Sequence, residues 1–295
     1  QLVEGAQLSL RDPVMKFIPA FNRPGKRAIT IQQLLTHTSG LPPDLPLGVE
    51  FSGTDEAIRR AAAITPDAPP GTKLIYSDIN FFLLGQIVAK VSGMPLERYV
   101  KTRIFDPLQM RDTGFLPAEA LEPRIAPTER CRPLAWPCSV DPTAPFLRGT
   151  VHDPTARRMG KVAGHAGLFS TAADLSRFCR MLLNGGELDG VRVLSPAAVQ
   201  RMTSPATPAS IKDIRGLGWD IDSAQSTNRG DLFPPGASFG HTGWTGTSLW
   251  LSPHTKSYVV FLSNRVHPNG KGDVAALRGQ VATIAAAALS ELRIQ

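Results

Sequence analysis

No apolar run in this sequence approaches the roughly twenty residues that a membrane-spanning helix requires. The N-terminal stretch QLVEGAQLSL has neither the charged nor the apolar region of a secretory signal. Nor does it begin with Met; the chain is expected to open in mid-sequence, after processing or by truncation, with any export signal upstream. Cysteine is scarce, with three residues in 295, and neither their spacing nor flanking histidines match a zinc site. Cys131 and Cys138 bracket the loop CRPLAWPC and could close it as a disulfide in an oxidising compartment, whereas Cys179 falls in an apolar helical pattern and reads as core. A basic stripe is also missing. The formal charge is +7, but lysine and arginine are scattered, with short pairs only (Arg59-Arg60, Arg157-Arg158), and aromatics make up just 7%. That distribution argues against a surface that tracks nucleic acid. Internal repeats and low-complexity tracts are absent as well, which excludes a solenoid.

What remains is a globular composition. With 42% hydrophobic residues, the chain can bury one large core or two modest ones. Leu2 to Leu10 read as the end of an apolar helix and a turn. Thr30, with Gln33 in the capping-box position, starts a helix that stops at THTSGLPP, where Gly40 and Pro42-Pro43 end it. His37 lies in that turn, where a local hydrogen bond is its expected work. From Tyr76 the chain reads YSDINFFLLGQIVAKVSG: Phe81, Leu84, Ile87, Val88 and Val91 recur at helical spacing and Gly93 closes the helix. Tyr76, Ser77 and Asp78 thus sit at a helix N-terminus, where unpaired backbone donors favour polar and anionic groups. A plain reading makes Ser77 or Asp78 a cap and nothing more.

Pro95 begins a short helix, and residues 116–159 read as long surface loops rich in proline and arginine. In VAGHAGLFSTAADLSRFCRMLLNGG, Thr171 and Asp174 mark a second helix start and Gly185-Gly186 its end. His165, between two glycines, is expected to position the loop or touch substrate. Leu217 to Ile221 reads as a strand. The stretch FGHTGWTGTSLW, from Phe239 to Trp250, leads a small-residue run into alternating apolar positions that continue, after a turn, through Tyr258 to Leu262. It predicts two strands and a hairpin, with glycines that let a ligand or a second backbone lie close. The chain ends in an Ala-rich helix over 274–292. This order of elements predicts an α+β protein: an antiparallel sheet faced by helices, plus an inserted mainly helical region. Its expected boundaries are 1–28 and 206–295 for the sheet domain and 29–205 for the helical one.

LLTHTSGLP, Tyr76-Ser77-Asp78 ahead of LLGQIV, AGHAGLFSTAADLSRF and FGHTGWTGTSLW occur in that order over nearly the whole chain. Together they resemble the serine hydrolase superfamily of penicillin-binding proteins, class C β-lactamases and related esterases, and within it the low-molecular-weight D-Ala-D-Ala carboxypeptidase and esterase branch. The resemblance implies a β-lactamase/transpeptidase-like fold and acyl transfer through a serine ester. It assigns Tyr76 as proton shuttle and the Trp244 N–H as one half of an oxyanion hole. Asp78, His241, Thr242 and Gly243 are assigned to substrate binding, with His165 as a further contact. It implies no metal and no organic cofactor, a small ester, peptide or β-lactam as substrate, peptidoglycan as a further partner, and a periplasmic or secreted location.

Two positions depart from the family pattern. No serine here is followed at the third position by lysine, so the Ser-x-x-Lys nucleophile and the first strands of the sheet are expected upstream of Gln1. The Tyr-x-Asn position holds Asp78, and an ionised carboxylate can only accept hydrogen bonds. That moves expectation from β-lactam hydrolysis toward esters or D-amino-acid peptides. A class C-like β-lactamase and a non-catalytic binding module are the alternatives.

Overall fold

The computed structural model describes residues 1–130 and 146–292. Cys131 and Cys138, with their expected bridge, lie outside the described residues. The chain divides into two compact units, and the division follows packing rather than chain order.

The first unit comprises residues 1–122, 149–169 and 206–211. Residues 2–7 form turns instead of the expected helix end. Its helices are α1 (Ile31–Leu35), α2 (Thr54–Ala63), α3 (Asp78–Ser92), α4 (Leu96–Val100) and α5 (Pro154–Arg158). Thr30 caps α1 through the full reciprocal box with Gln33. Gly93, at φ +68°, ends α3 as a left-handed cap. The core is one continuous cluster that includes Phe21, Ile29, Leu34, Leu41, Ile79, Phe82, Leu83 and Ile87. These residues come from α1, α3 and the irregular segments beside them, so the loops are as much part of the core as the helices.

The second unit comprises residues 123–148, 170–205 and 212–295. It contains α6 (Ala172–Leu183), the small hairpin β1 (Glu187–Leu188) and β2 (Val191–Arg192), and α7 (Pro196–Thr203). An antiparallel five-stranded sheet follows in the order β3 (Ile214–Arg215), β4 (Asp220–Asp222), β5 (Phe239–Thr242), β6 (Ser248–Ser252), β7 (Ser257–Phe261), and α8 (Ala275–Leu292) ends the unit. FGHT is a strand of its own, β5; the apolar alternation gave only the two strands after it, while the family resemblance placed a strand motif at His241 to Gly243. The strand expected at Leu217–Ile221 sits slightly later, because Leu217 to Trp219 make the turn into β4.

Pleat alternation puts helices on both faces of this sheet. Trp250 of β6 lies opposite Val259 of β7, and both pack with Ala282 and Ala286 of α8. On the opposite face Tyr258 shares a hydrogen bond with Ser176 of α6. Residues 170–205, expected in the helical domain, therefore group with the sheet, since α6 lies against β6 and β7.

Candidate active site

In the first unit the site is built by two irregular segments that zip together ahead of α3. The Ile75 N–H donates to the His37 carbonyl at 2.9 Å, the Asp78 N–H to the Pro43 carbonyl at 2.7 Å, and the Gly71 N–H to the Thr38 carbonyl at 2.7 Å. Gly40 belongs to this seam by necessity, because a Cβ there would stand 1.9 Å from the Ala68 carbonyl oxygen. The Ser77 hydroxyl donates to the Pro42 carbonyl at 2.6 Å. It therefore ties the helix head to the preceding loop and does not cap α3.

His37 does more than a local turn requires. It is 1% exposed and held at φ +56°, and its ring stacks on Tyr76 with centroids 4.2 Å apart. Its Nδ1 accepts the Ser77 N–H at 3.0 Å and faces the Asn80 amide nitrogen at 3.2 Å. A nitrogen that accepts carries no proton, so the neutral ring holds its proton on Nε2. The Asn80 carbonyl oxygen in turn accepts the Ser39 hydroxyl at 2.6 Å. His37, Asn80 and Ser39 thus fix the backbone beneath Tyr76.

Asp78, two residues on from Tyr76, joins a cluster of acids around one imidazole. His165 Nε2 and Asp153 Oδ1 are 2.9 Å apart, and Asp153 also caps α5 by accepting the Ala156 N–H at 2.6 Å. Asp44 accepts the Thr155 hydroxyl at 3.0 Å and the Leu45 N–H at 2.7 Å. Burial pushes the Asp78 carboxyl up to about 6; the His165 charge opposes that rise, and Asp153 and Asp44 add to it. Burial alone would lower the His165 pKa, but the hydrogen bond and charge of Asp153, with Asp78 and Asp44, outweigh it and raise the net value. Asp153, although buried, is held below its usual range by His165.

Asp78, Asp153 and His165 place one ligand-type atom each within 4.8 Å of one another, and that set of donors suits a divalent cation. His165 Nε2 and Asp153 Oδ1 stand at hydrogen-bond distance, while His165 Nδ1 is buried without a hydrogen-bond partner. The arrangement is a hydrogen-bonded His–Asp pair with a second acid beside it.

A pH signature follows. A carboxyl whose folded-state pKa is raised binds its proton more tightly in the folded protein, so Asp78 costs stability as pH rises from about 4 through about 6. Asp78→Asn should therefore raise the melting temperature more near pH 8 than near pH 5, by roughly twofold or better. Equal gains at both pH values would show that Asp78 titrates as an ordinary carboxyl.

In the second unit β5 carries the other candidates. The His241 Nδ1–H donates to the Thr242 carbonyl at 2.8 Å. Burial, and then the nearby Arg215 guanidinium, lower the His241 pKa, so the ring is neutral at neutral pH. Thr242 pairs with Ser248 across the ladder to β6. Beyond it, Gly243 to Thr247 make a tight turn in which the Gly243 N–H donates to the Thr247 carbonyl at 2.6 Å and the Gly246 N–H to the Gly243 carbonyl at 3.1 Å. A Cβ on Gly243 would lie 2.2 Å from the Thr247 hydroxyl oxygen. Trp244 sits at the tip, 73% exposed. Among the described residues its N–H donates to no protein group.

The structure thus gathers Tyr76, Asp78 and His165 in one unit, and His241, Thr242, Gly243 and Trp244 on one strand and turn of the other. Sequence reading missed Asp153, Asp44 and Asn80. His152-Asp153 followed by proline was a visible helix-start signal, but nothing in the sequence tied it to His165.

An antiparallel sheet between helices, with a His-Thr-Gly strand end and a Tyr-Ser-Asp helix head, defines the β-lactamase/transpeptidase-like fold. The family model described as Beta-lactamase matches residues 1–283, and the chain belongs to that family. It is 34% identical over 289 residues to the Salmonella typhimurium protein named "Putative D-alanyl-D-alanine carboxypeptidase", which covers 90% of this chain. The chain spans 66% of that relative's length, just under two thirds. Among solved structures, a penicillin-binding protein homologue from Caulobacter crescentus superposes with a TM-score of 0.70 at 22% identity, over 97% of this chain and 78% of that one. A family VIII carboxylesterase does so with a TM-score of 0.69 at 20% identity, over 97% and 78%.

Proposed function

We propose that the protein is a serine hydrolase that cleaves esters or D-amino-acid peptides through an acyl-enzyme, in the periplasm or outside the cell. The observation that carries this reading is the Trp244 N–H, an uncommitted donor held in a rigid turn at the end of the His-Thr-Gly strand. Such a group is suited to stabilise the oxyanion of a tetrahedral intermediate. Tyr76, on a backbone fixed by His37, is the proton shuttle. The serine Oγ bonds to the acyl carbon as its proton passes through Tyr76 to the leaving alkoxide or amine. Water then attacks the ester and the serine regains its proton. The serine and its lysine partner are not among these 295 residues as a Ser-x-x-Lys motif, and we place them in sequence upstream.

Two observations favour esters. A neutral His241 offers no charge to a substrate carboxylate. Asp78, with its neighbours Asp153 and Asp44, makes the surroundings of the Tyr76 helix head acidic, which disfavours an anionic substrate such as a β-lactam carboxylate. The related family VIII carboxylesterase and the carboxypeptidase-named relative support the two substrate classes in turn.

Intact mass after exposure to a fluorophosphonate probe is the test. A single adduct is expected on a form extended upstream to include a Ser-x-x-Lys, and none on the 295-residue chain. An active-site adduct on the short chain would overturn the placement of the nucleophile, and no adduct on either would leave a binding module.

A further inference from the structure

Arg278 stands where a guanidinium is costly. It is 8% exposed and lies in the first turn of α8, at the positive end of the helix dipole. Among the described residues no carboxylate bonds to it, and its Nε has no hydrogen-bond partner. Burial, and then the charge of Arg265, lower its pKa, and the charge of Asp273 only partly opposes them. Burying a guanidinium to which no carboxylate bonds carries a desolvation cost that other contacts must offset. What Arg278 does have is two carbonyls: one Nη2 donates to the Gly243 oxygen at 2.9 Å and to the Thr247 oxygen at 2.8 Å. These two carbonyls close the Trp244 turn.

Peptide planarity turns that contact into a constraint on chemistry. The Gly243 carbonyl and the Trp244 N–H belong to one rigid trans amide and point in opposite directions. Fixing the first aims the second. The next amide is fixed too, because Arg265 Nε donates to the Trp244 carbonyl at 2.6 Å. Arg265 is itself anchored by its Nη1 on the Gly272 carbonyl at 2.9 Å, and its guanidinium lies 4.3 Å from the centre of the Trp244 ring. The tip residue, exposed as it is, therefore has both flanking peptide planes held by arginines.

We propose that Arg278, with Arg265 behind it, is a positioning residue that aims the Trp244 N–H at the reacting carbonyl oxygen of an acyl substrate. The inference rests on the acyl-transfer reading above for its catalytic consequence and on geometry alone for the clamp. The guanidinium touches no reacting atom. It holds the 243–244 peptide in the orientation that the negative oxygen requires, so that the donor need not reorganise as charge develops.

The test separates the two layers. Selective ¹⁵N-tryptophan labelling of the 295-residue chain yields backbone amide signals from just four tryptophans. Trp250, in β6, reports whether the sheet is intact. In Arg278→Met the Trp244 amide signal should shift and broaden while that of Trp250 stays. In the upstream-extended protein the same change should lower kcat for a nitrophenyl ester about tenfold or more while KM moves less than about threefold. Arg278→Lys, whose ammonium can still bridge both carbonyls, should recover part of both effects, and it carries the test if the Met variant fails to fold. An unmoved Trp244 signal in Arg278→Met overturns the clamp. A moved signal with unchanged kcat overturns the positioning role. If the parent enzyme hydrolyses no ester at all, it is the acyl-transfer reading that fails, and the Trp244 signal alone decides the clamp.

Discussion

If Tyr76 is the proton shuttle proposed above, Tyr76→Phe is expected to cut ester turnover by about two orders of magnitude or more in a form of the protein extended upstream to include a Ser-x-x-Lys. The change removes one oxygen and leaves the ring, so the 4.2 Å stack on His37 should survive. The loss should therefore appear in kcat with the melting temperature close to that of the parent. Steady-state kinetics on a nitrophenyl ester and a thermal melt are enough to check it. Turnover within about threefold of the parent would remove the hydroxyl from the mechanism and leave the ring as a packing group.

Gly164→Ala should produce a large loss of stability. A Cβ at this position would stand 2.1 Å from the Phe81 carbonyl oxygen and 3.1 Å from the Gly85 nitrogen, both backbone atoms of α3. Gly85 is the reciprocal partner, where a Cβ would lie 3.0 Å from the Gly164 nitrogen. Neither backbone can swing aside as a flexible side chain would, so the loop must lift off the helix. A loss of about 3 kcal/mol is expected, at the upper end for overpacking. His165, the next residue, should lose its bond to Asp153 at the same time. Gly114→Ala is the control, since a Cβ there meets nothing within 4 Å. Urea unfolding of the two variants should separate them clearly, and similar midpoints would mean that the helix and loop are not in close register.

These two sites show what could be read from the sequence and what could not. The helix beginning at Asp78 and its end at Gly93 were legible because apolar spacing and a left-handed glycine cap are local signals. So was the Thr30 box. The family resemblance placed Tyr76 and the Trp244 turn because their motifs are contiguous. His37 was legible as a residue of interest but not as a support for Tyr76, because its bond reaches Ser77, 40 residues on. Asp153 and Arg278 were illegible for the same reason: one meets His165 across a loop, the other meets Gly243 from the final helix. The strand β5 was not visible in the apolar alternation, because Phe239, Gly240, His241 and Thr242, followed by Gly243, carry little of it; its pairing with β6 fixes it. Residues 170–205 were assigned to the helical part because sequence shows that α6 is amphipathic but not which surface receives it.

The seam between residues 37–43 and 71–78 has a consequence for how this protein folds. The head of α3 owes its geometry to chain closure, not to helix formation. Its backbone bonds run to His37 and Pro43 and the Ser77 hydroxyl bonds to Pro42, and closing a loop of that length costs entropy before any contact repays it. The helix can form early from its own residues, but Tyr76 acquires its place only when the distant loop docks. The placement of Tyr76 is therefore expected to come late in folding and to be lost early in partial unfolding. Opening of the seam would release Tyr76 while α3 and most of the core still stood.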